Sequence, residues 1–404
     1  MSRHILLEES PFGVRALVQE GGKTIRLAHH VFGRQAPQLG AVIEGRAGPR
    51  DRRLGLQLID LGAQGEGWLP VKERQHPEGS KVFVAIRREA VGDKRPLLTD
   101  RPSLHLPAAT LDGRTGNVRS GPLGEIPLPP SFDKNLQAAS KVEPALLLLA
   151  QLVSRETERV LLSSGSLKAR LAPFMPDPDL LVVDEAISSD LDHAEDAALA
   201  RTEPLQGGGR LVIDETEALT TVDVDLGSGE GQSARGAGDS LRQRFLDELA
   251  PALAARAIGG QVVLDLPRFA IRQPKPLRDQ ITAALKPTGL SSIPAVTKEG
   301  LVVLVLQKTG PSLLDRLTMA HSLSDGVRPG RVMRPDITDW RAFTEASRTL
   351  AAQRTQSFVL ALDPDALRIW QKRDADAALA SRFGARLRTA ARRERGYLIS
   401  NEAP

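Results

Sequence analysis

Thr221-Val222-Asp223-Val224-Asp225-Leu226 and Gln261-Val262-Val263-Leu264-Asp265 are the two stretches on which the reading of this 404-residue chain turns. A β-strand sends successive side chains to opposite faces and rises ~3.3 Å per residue. Asp223 and Asp225 therefore project to one side, roughly 6.6 Å apart along the strand, while Val222, Val224 and Leu226 face a core. The second stretch ends in Asp265. Carboxylates gathered on one edge of a buried sheet are costly to ionise, because like charges repel and burial penalises charge. A hard divalent cation such as Mg²⁺ removes both objections. An exposed strand face whose acids meet only water is the competing reading, and a second strand that terminates in an acid favours the metal.

The segment between the strands places them side by side. From Asp239 or Ser240 as N-cap, Leu241, Phe245, Leu246, Leu249 and Leu253 recur at helical spacing, and Gly259-Gly260 supplies a stop. Strand, helix and strand within 42 residues (265 minus 223) suit a parallel crossover, which brings both strand ends to one edge. Upstream, Arg210-Leu211-Val212-Ile213-Asp214 reads as a further strand.

Composition bounds the rest. With 35 Gly and 28 Pro the chain is rich in turns, and its length suits two to four domains. It contains no cysteine, which excludes disulfides, thiolate zinc sites and cysteine nucleophiles. Met1 to Leu7 does not read as a signal peptide, and no apolar run reaches the ~18 residues of a membrane span, so a cytoplasmic protein is expected. The net charge of +4 and pI near 9.5 favour a polyanionic partner only weakly.

Residues 1–37 alternate as strands (Ile5-Leu6-Leu7, Val14 to Val18, Thr24 to Leu27) around a Gly21-Gly22 turn. Residues 38–102 read as a small closed barrel, with strands at Ala41 to Arg46, Gly55 to Gly62, Gly67 to Pro70 and Lys81 to Arg87. Between 103 and 208 lie a proline-rich loop (Leu123 to Pro130) and a helix over Glu143 to Leu162. Residues 319–404 form a helix-and-strand module with Trp340 and Trp370 in its core, ending in a basic helix from Arg382 to Arg395. His29-His30 reads as a surface pair, Asp190-Leu191-Asp192-His193 as an exposed stretch, and Gly227 to Gly231 as a loop lacking the ending of a phosphate-binding motif.

Several of these motifs match one family in order. Leu58-Ile59-Asp60-Leu61-Gly62, Gly67-Trp68-Leu69-Pro70 and Gly92-Asp93-Lys94-Arg95-Pro96-Leu97-Leu98-Thr99 resemble the S1-type RNA-binding domain of the ribonuclease E/G family. Gly208 to Thr220, the Asp223 strand and Ile258-Gly259-Gly260-Gln261-Val262-Val263-Leu264-Asp265 continue the resemblance, which reaches weakly to Pro311-Ser312-Leu313. It implies an α+β multidomain architecture: an S1-type OB barrel inserted near the N-terminus, an RNase H-like/DNase I-like catalytic core at 209–318 with a βαβ unit, and a small C-terminal α/β module at 319–404. It also implies a Mg²⁺-dependent endoribonuclease (Mn²⁺ substituting) that hydrolyses single-stranded RNA, with Asp223 and Asp265 as metal ligands and Asp225 as ligand or orienting partner. Trp68 and Lys94 fall at RNA-contacting positions of the family; Leu58 replaces a second aromatic.

The departures carry expectations too. Family members have a cysteine pair that binds a zinc shared between subunits; no such link is expected here, and a homodimer through other contacts and a monomer both stay open. The region 103–208 is a shortened counterpart of the segment that senses a 5′-monophosphate. Arg114-Thr115 has the letters of its signature in different surroundings. From the residues alone, Lys308, after the apolar strand Leu301 to Leu306, is a candidate contact for the scissile phosphate, with a solvated strand-end lysine as the alternative. A non-catalytic RNA-binding protein that retains the fold is the alternative function.

Overall fold

The computed structural model describes residues 2–34, 36–71, 76–100, 105–106, 109–111, 118–120, 143–154, 156–175, 177–225, 234–266, 274–322 and 327–401. Arg114-Thr115, the Leu123 to Pro130 stretch and the Gly227 to Gly231 loop fall outside them. The first three strands, β1 (Arg3–Ser10), β2 (Gly13–Glu20) and β3 (Lys23–Val31), form an antiparallel meander joined at Gly21-Gly22, both glycines with positive φ.

The next five, β4 (Val42–Asp51), β5 (Leu56–Asp60), β6 (Glu66–Pro70), β7 (Lys81–Arg88) and β8 (Leu97–Thr99), close a barrel in the order β4-β5-β6-β8-β7. Its interior is filled by Ile59, Leu69, Val82, Val84, Ile86 and Leu98 from alternate positions, as a small five-stranded barrel of OB type requires.

The chain then returns to the first sheet. Helix α1 (Pro144–Leu152) is followed by β9 (Thr157–Leu162), helix α2 (Gly165–Leu171), β10 (Leu181–Val183) and helix α3 (Ile187–Leu199). The expected single helix over Glu143 to Leu162 is thus half helix and half strand. Val160 and Leu162 are fully buried in β9 beside Ile5 and Leu7 of β1, so pairing with an existing strand overrides local helical preference. β9 runs parallel to β1, and the completed sheet has the order β10-β9-β1-β2-β3.

A second sheet follows: β11 (Thr202–Pro204), β12 (Arg210–Glu215), β13 (Thr220–Asp225), helix α4 (Ala234–Ala255), β14 (Gly260–Asp265), helix α5 (Pro274–Leu285), β15 (Ala295–Val296) and β16 (Leu301–Leu306), ordered β11-β12-β13-β14-β16-β15. The β13-α4-β14 crossover is parallel, as its length predicts. α4 begins at Ala234, ahead of the expected cap at Asp239 or Ser240. Its buried Phe245, Leu249 and Leu253, with Leu277 and Ile281 of α5, cover one face of the sheet over Val222, Val224, Val262, Leu264, Val302 and Leu304. Among the described residues no helix of this core covers the other face.

After helix α6 (Leu313–Leu317), helix α7 (Pro335–Ala352), β17 (Phe358–Leu362), helices α8 (Pro364–Lys372) and α9 (Ala375–Phe383), β18 (Leu387–Ala391) and β19 (Tyr397–Asn401) complete the chain, with β17 between β18 and β19. The expected basic helix ends at Phe383; Arg388 sits on β18, and Arg392, Arg393 and Arg395 fall in the turn to β19. Arg386 turns back instead, donating to the carbonyls of Leu350 at 2.8 Å and Gln353 at 2.5 Å near the end of α7. Trp340 and Trp370 are buried, but their core is shared with Leu6, Phe12, Leu17 and Leu27, so the C-terminal elements and the first three strands pack as one body.

A charged cluster pins that body together. Arg15, on β2, is fully buried, and its guanidinium meets Glu8 at 2.5 Å, Asp192 at 2.8 Å and Glu195 at 3.0 Å. Glu8 also accepts from the Ser188 hydroxyl, and Glu195 accepts from Arg341 of α7 at 3.2 Å. Burial pushes Glu195 up, but Arg15, His29 and Arg341 outweigh it and hold the carboxyl far below its usual range. The surface expectation fails for His29, while Asp190 and His193 are exposed as expected and the half-buried Asp192 turns to Arg15. His29 is buried 2.9 Å from Glu195, and the Asp190-to-His193 stretch faces inward through Asp192, because two buried carboxylates require cations and donors that only these residues supply.

Replacing Arg15 by Met takes the cation from Glu8 and leaves Glu195 with Arg341 alone, so urea unfolding should show a loss of about 3–5 kcal/mol; a loss within error of zero would show that the cluster is not structural. Asp339 of α7 is the opposite case. It is fully buried, and neither carboxyl oxygen meets a normal hydrogen-bond partner among the described residues; burial first, then Asp363 and Asp336, push it up to about 9. The folded state keeps this proton while the unfolded chain loses it near pH 4, so stability declines from about pH 4 to about pH 9. Asp339→Asn should therefore raise the melting temperature at pH 8 and change it little at pH 4, measured by thermal scans at both values.

Candidate functional site

The parallel register aligns Thr220 with Val262, Thr221 with Val263, Val222 with Leu264 and Asp223 with Asp265. The two aspartates thus stand opposite each other on neighbouring strands about 4.8 Å apart. Alternation along β13 buries Val222 and Val224 under the helices and exposes Thr221 and Asp223; along β14 it buries Val262 and Leu264 and exposes Gln261 and Asp265. Both carboxylates consequently project from the same uncovered face. The acids were expected on a buried edge and are exposed, because α4 and α5 cover only the opposite face.

Neighbouring acids on this face are neutralised by arginines. Asp225 pairs with Arg210 at 2.9 Å across the β12–β13 ladder, and Asp214 pairs with Arg201 at 2.6 Å, a bond that lowers the Asp214 pKa. Asp223 and Asp265 have no hydrogen bond or ion pair among the described residues. Two hard oxygen donors in register and open to water suit a divalent cation that keeps much of its hydration shell. Among the described residues no group of three or more histidines or acids stands close enough to hold a metal, so the donor set there is this pair. The role of Arg210 was not legible in the sequence; its position opposite Asp225 is a matter of register.

Lys308 is not brought to the pair. Asp265 lies opposite Leu301 at the start of β16, whereas Lys308 follows its end. Lys308 lies seven positions beyond Leu301, roughly 23 Å of extended chain. Lys308 instead lines a cleft of about 530 Å³ with Lys94 of the barrel, Glu215, Gln261, Asp315 and Arg331. Gly259 explains the close fit there: a Cβ on it would lie 2.7 Å from the Lys308 Cα.

Trp68 projects outward from the barrel, partly buried, with the Arg95 guanidinium 5.4 Å from its ring centroid. It lies outside the barrel core, and Leu58 stands opposite it on β5. This partly exposed ring with a cation over it has the makings of a stacking platform for an unpaired base.

The chain thus combines an open sheet face bearing a matched carboxylate pair with an OB-like barrel bearing a partly buried tryptophan. In comparison with known proteins, residues 183–305, which contain both aspartate strands, match the Ribonuclease E/G family, the one that the motif order resembles. The chain is 24% identical over 344 residues to Ribonuclease E of Haemophilus influenzae, aligning 63% of this chain with 36% of that protein. It is 29% identical over 126 residues to Ribonuclease E of Escherichia coli (29% of this chain, 11% of that one). It is 26% identical over 167 residues to the Ribonuclease E/G-like protein, chloroplastic, of Arabidopsis thaliana (40% and 16%). The alignments thus span 36% or less of these relatives' lengths. No helix among the described residues is long and apolar enough to cross a membrane.

If the Trp68 ring stacks on bases, Trp68→Ala should weaken binding of a single-stranded oligonucleotide by about 1–3 kcal/mol, measured by fluorescence anisotropy, with the melting temperature unchanged.

Proposed function

We propose that this chain is a Mg²⁺-dependent endoribonuclease that hydrolyses single-stranded RNA in RNA processing or decay, working in the cytoplasm. The observation that carries the reading is the matched pair Asp223 and Asp265, in register, exposed on one sheet face and without a partner among the described residues, within the segment of family resemblance.

Asp223 and Asp265 are the groups that hold the metal, and two carboxylates leave the remaining coordination positions for water and a phosphate oxygen. Mn²⁺ fits the same hard donors. When bound, the ion supplies a nucleophilic water at neutral pH and neutralises charge on the phosphate. The chain's own residues do the rest. Asp225, tied to Arg210, keeps its charge from competing for the same position and fixes the end of β13. The open face admits an extended strand without a lid, and Val212 and Val303 flank the aspartates with partly exposed apolar surface. Trp68 with Arg95 supplies stacking, and Lys94 and Lys308 supply phosphate contacts at the far end of the sheet. These roles and the S1 and RNase H-like/DNase I-like domain readings belong to the proposal, as does a homodimer without a zinc link.

A non-catalytic RNA-binding role is the second reading, favoured by Leu58, which leaves Trp68 without an aromatic partner. Incubation of fluorescent single-stranded RNA with the protein and Mg²⁺ separates the two. Wild type should cut and stop on addition of EDTA, while Asp223→Asn and Asp265→Asn should each slow cleavage at least about 100-fold without loss of RNA binding. Binding without cleavage by all three proteins would sink the enzyme.

A further inference from the structure

The barrel has an apolar core of its own: Ala47, Ile59, Leu61, Leu69, Val82, Val84, Ile86 and Leu98 cluster without a residue from the rest of the chain. Among the described residues its ion pairs Lys81–Glu44, Arg95–Glu66 and His76–Asp100 also stay within it. A module that packs separately and meets its neighbour through polar groups is expected to move relative to it. Glu89 opposes that motion.

Glu89 follows β7 and is buried. Its Oε1 accepts from the Leu39 N–H at 2.8 Å, just ahead of β4, and its Oε2 accepts from Arg316 Nη2 of α6 at 2.7 Å. The Glu89 N–H donates in turn to the Thr309 carbonyl at 2.9 Å. Thr309 and Gly310 lie on the link from β16 to α6, and Gly310 makes room for the pair: a Cβ on it would stand 3.2 Å from Glu89 Oε2 and 3.3 Å from Arg316 Nη2. Among the described residues Glu89–Arg316 is the ion pair that crosses from the barrel to the rest of the chain. A buried carboxylate met by a guanidinium on one oxygen and a backbone N–H on the other makes a directional joint, because opening it strands a charge and a donor that the fold has desolvated. β16 carries the joint to the acidic site, since it pairs along its length with β14 and sets Leu301 opposite Asp265.

We infer that Glu89 is a positioning residue for RNA, acting through the barrel. Its carboxylate fixes the barrel, and with it Trp68, at one orientation to the sheet that bears Asp223 and Asp265. A single strand that engages both then meets two contacts already in place. Such preorganisation raises affinity by removing freedom that binding would otherwise cost. The inference rests on the reading that RNA touches both Trp68 and the open sheet face.

The chain has no cysteine, so spin labels can be placed at the exposed positions Glu78→Cys in the barrel and Lys298→Cys in the core, and double electron–electron resonance on the full chain reads the distance between them. A narrow distribution is expected in the labelled protein and a broadened one after Glu89→Gln or Arg316→Met, which open the pair from its two sides. Binding of a single-stranded RNA of about 20 nucleotides is followed by fluorescence anisotropy in EDTA, where metal-dependent cleavage is off. Glu89→Gln should weaken binding about tenfold, and Trp68→Ala added to it should cost less than it does in the wild type, because the ring is no longer held in place. Both readouts are taken without cleavage, so a wild type that fails to cut RNA is told apart from a joint that fails to position the barrel. A broad distribution before either substitution, a distribution that neither substitution changes, wild-type affinity in Glu89→Gln, or full additivity with Trp68→Ala overturns the inference.

Discussion

Arg15 is the residue on which the N- and C-terminal parts of this protein converge. A fully buried guanidinium is tolerated only when its charge is met, and here Glu8 comes from β1 and Asp192 and Glu195 from α3, while Arg341 of α7 meets Glu195 from the other side. The residues that meet there are far apart in sequence, so the chain cannot satisfy one without placing the others. Apolar burial around Phe12, Trp340 and Trp370 supplies the non-directional part of the attraction, and the ion cluster supplies the geometry.

The acidic site depends on a separate constraint, the register of one parallel ladder. A shift of one residue between β13 and β14 would turn one carboxylate toward Val222 and Leu264 and away from its partner. The register is held by burial on the other face, where Val222, Val224, Val262 and Leu264 lie beneath Phe245 and Leu249 of α4. Packing on the dry face therefore sets chemistry on the wet one. The arginines at 201 and 210 sharpen the result by occupying the acids on either side of Asp223.

Two buried carboxyls show how local charge decides protonation. Glu195 and Asp339 are both buried on helices, but Glu195 faces Arg15, His29 and Arg341, whereas Asp339 faces Asp336 and Asp363. The first stays ionised to very low pH and the second keeps its proton to about 9.

Alternating apolar residues made the meander, the barrel and the aspartate strands legible, because a two-residue period survives whatever the strands pair with. The crossover length likewise foretold that β13 and β14 run parallel, and motif order pointed to the ribonuclease E/G segment. Four readings needed the tertiary structure. Thr157–Leu162 is a strand because β1 offers it an edge; the arginines after Phe383 leave the helix because Arg386 turns back onto α7; His29 and Asp192 are internal because Glu195 and Arg15 draw them in; and Lys308 lies beyond the end of β16 remote from the aspartates. Sequence carries periodicity, and so it determined which elements exist and which faces are apolar. Which helix covers which face, and hence whether a carboxylate meets water, an arginine or another acid, depends on contacts between residues hundreds of positions apart, and only the folded chain decides them.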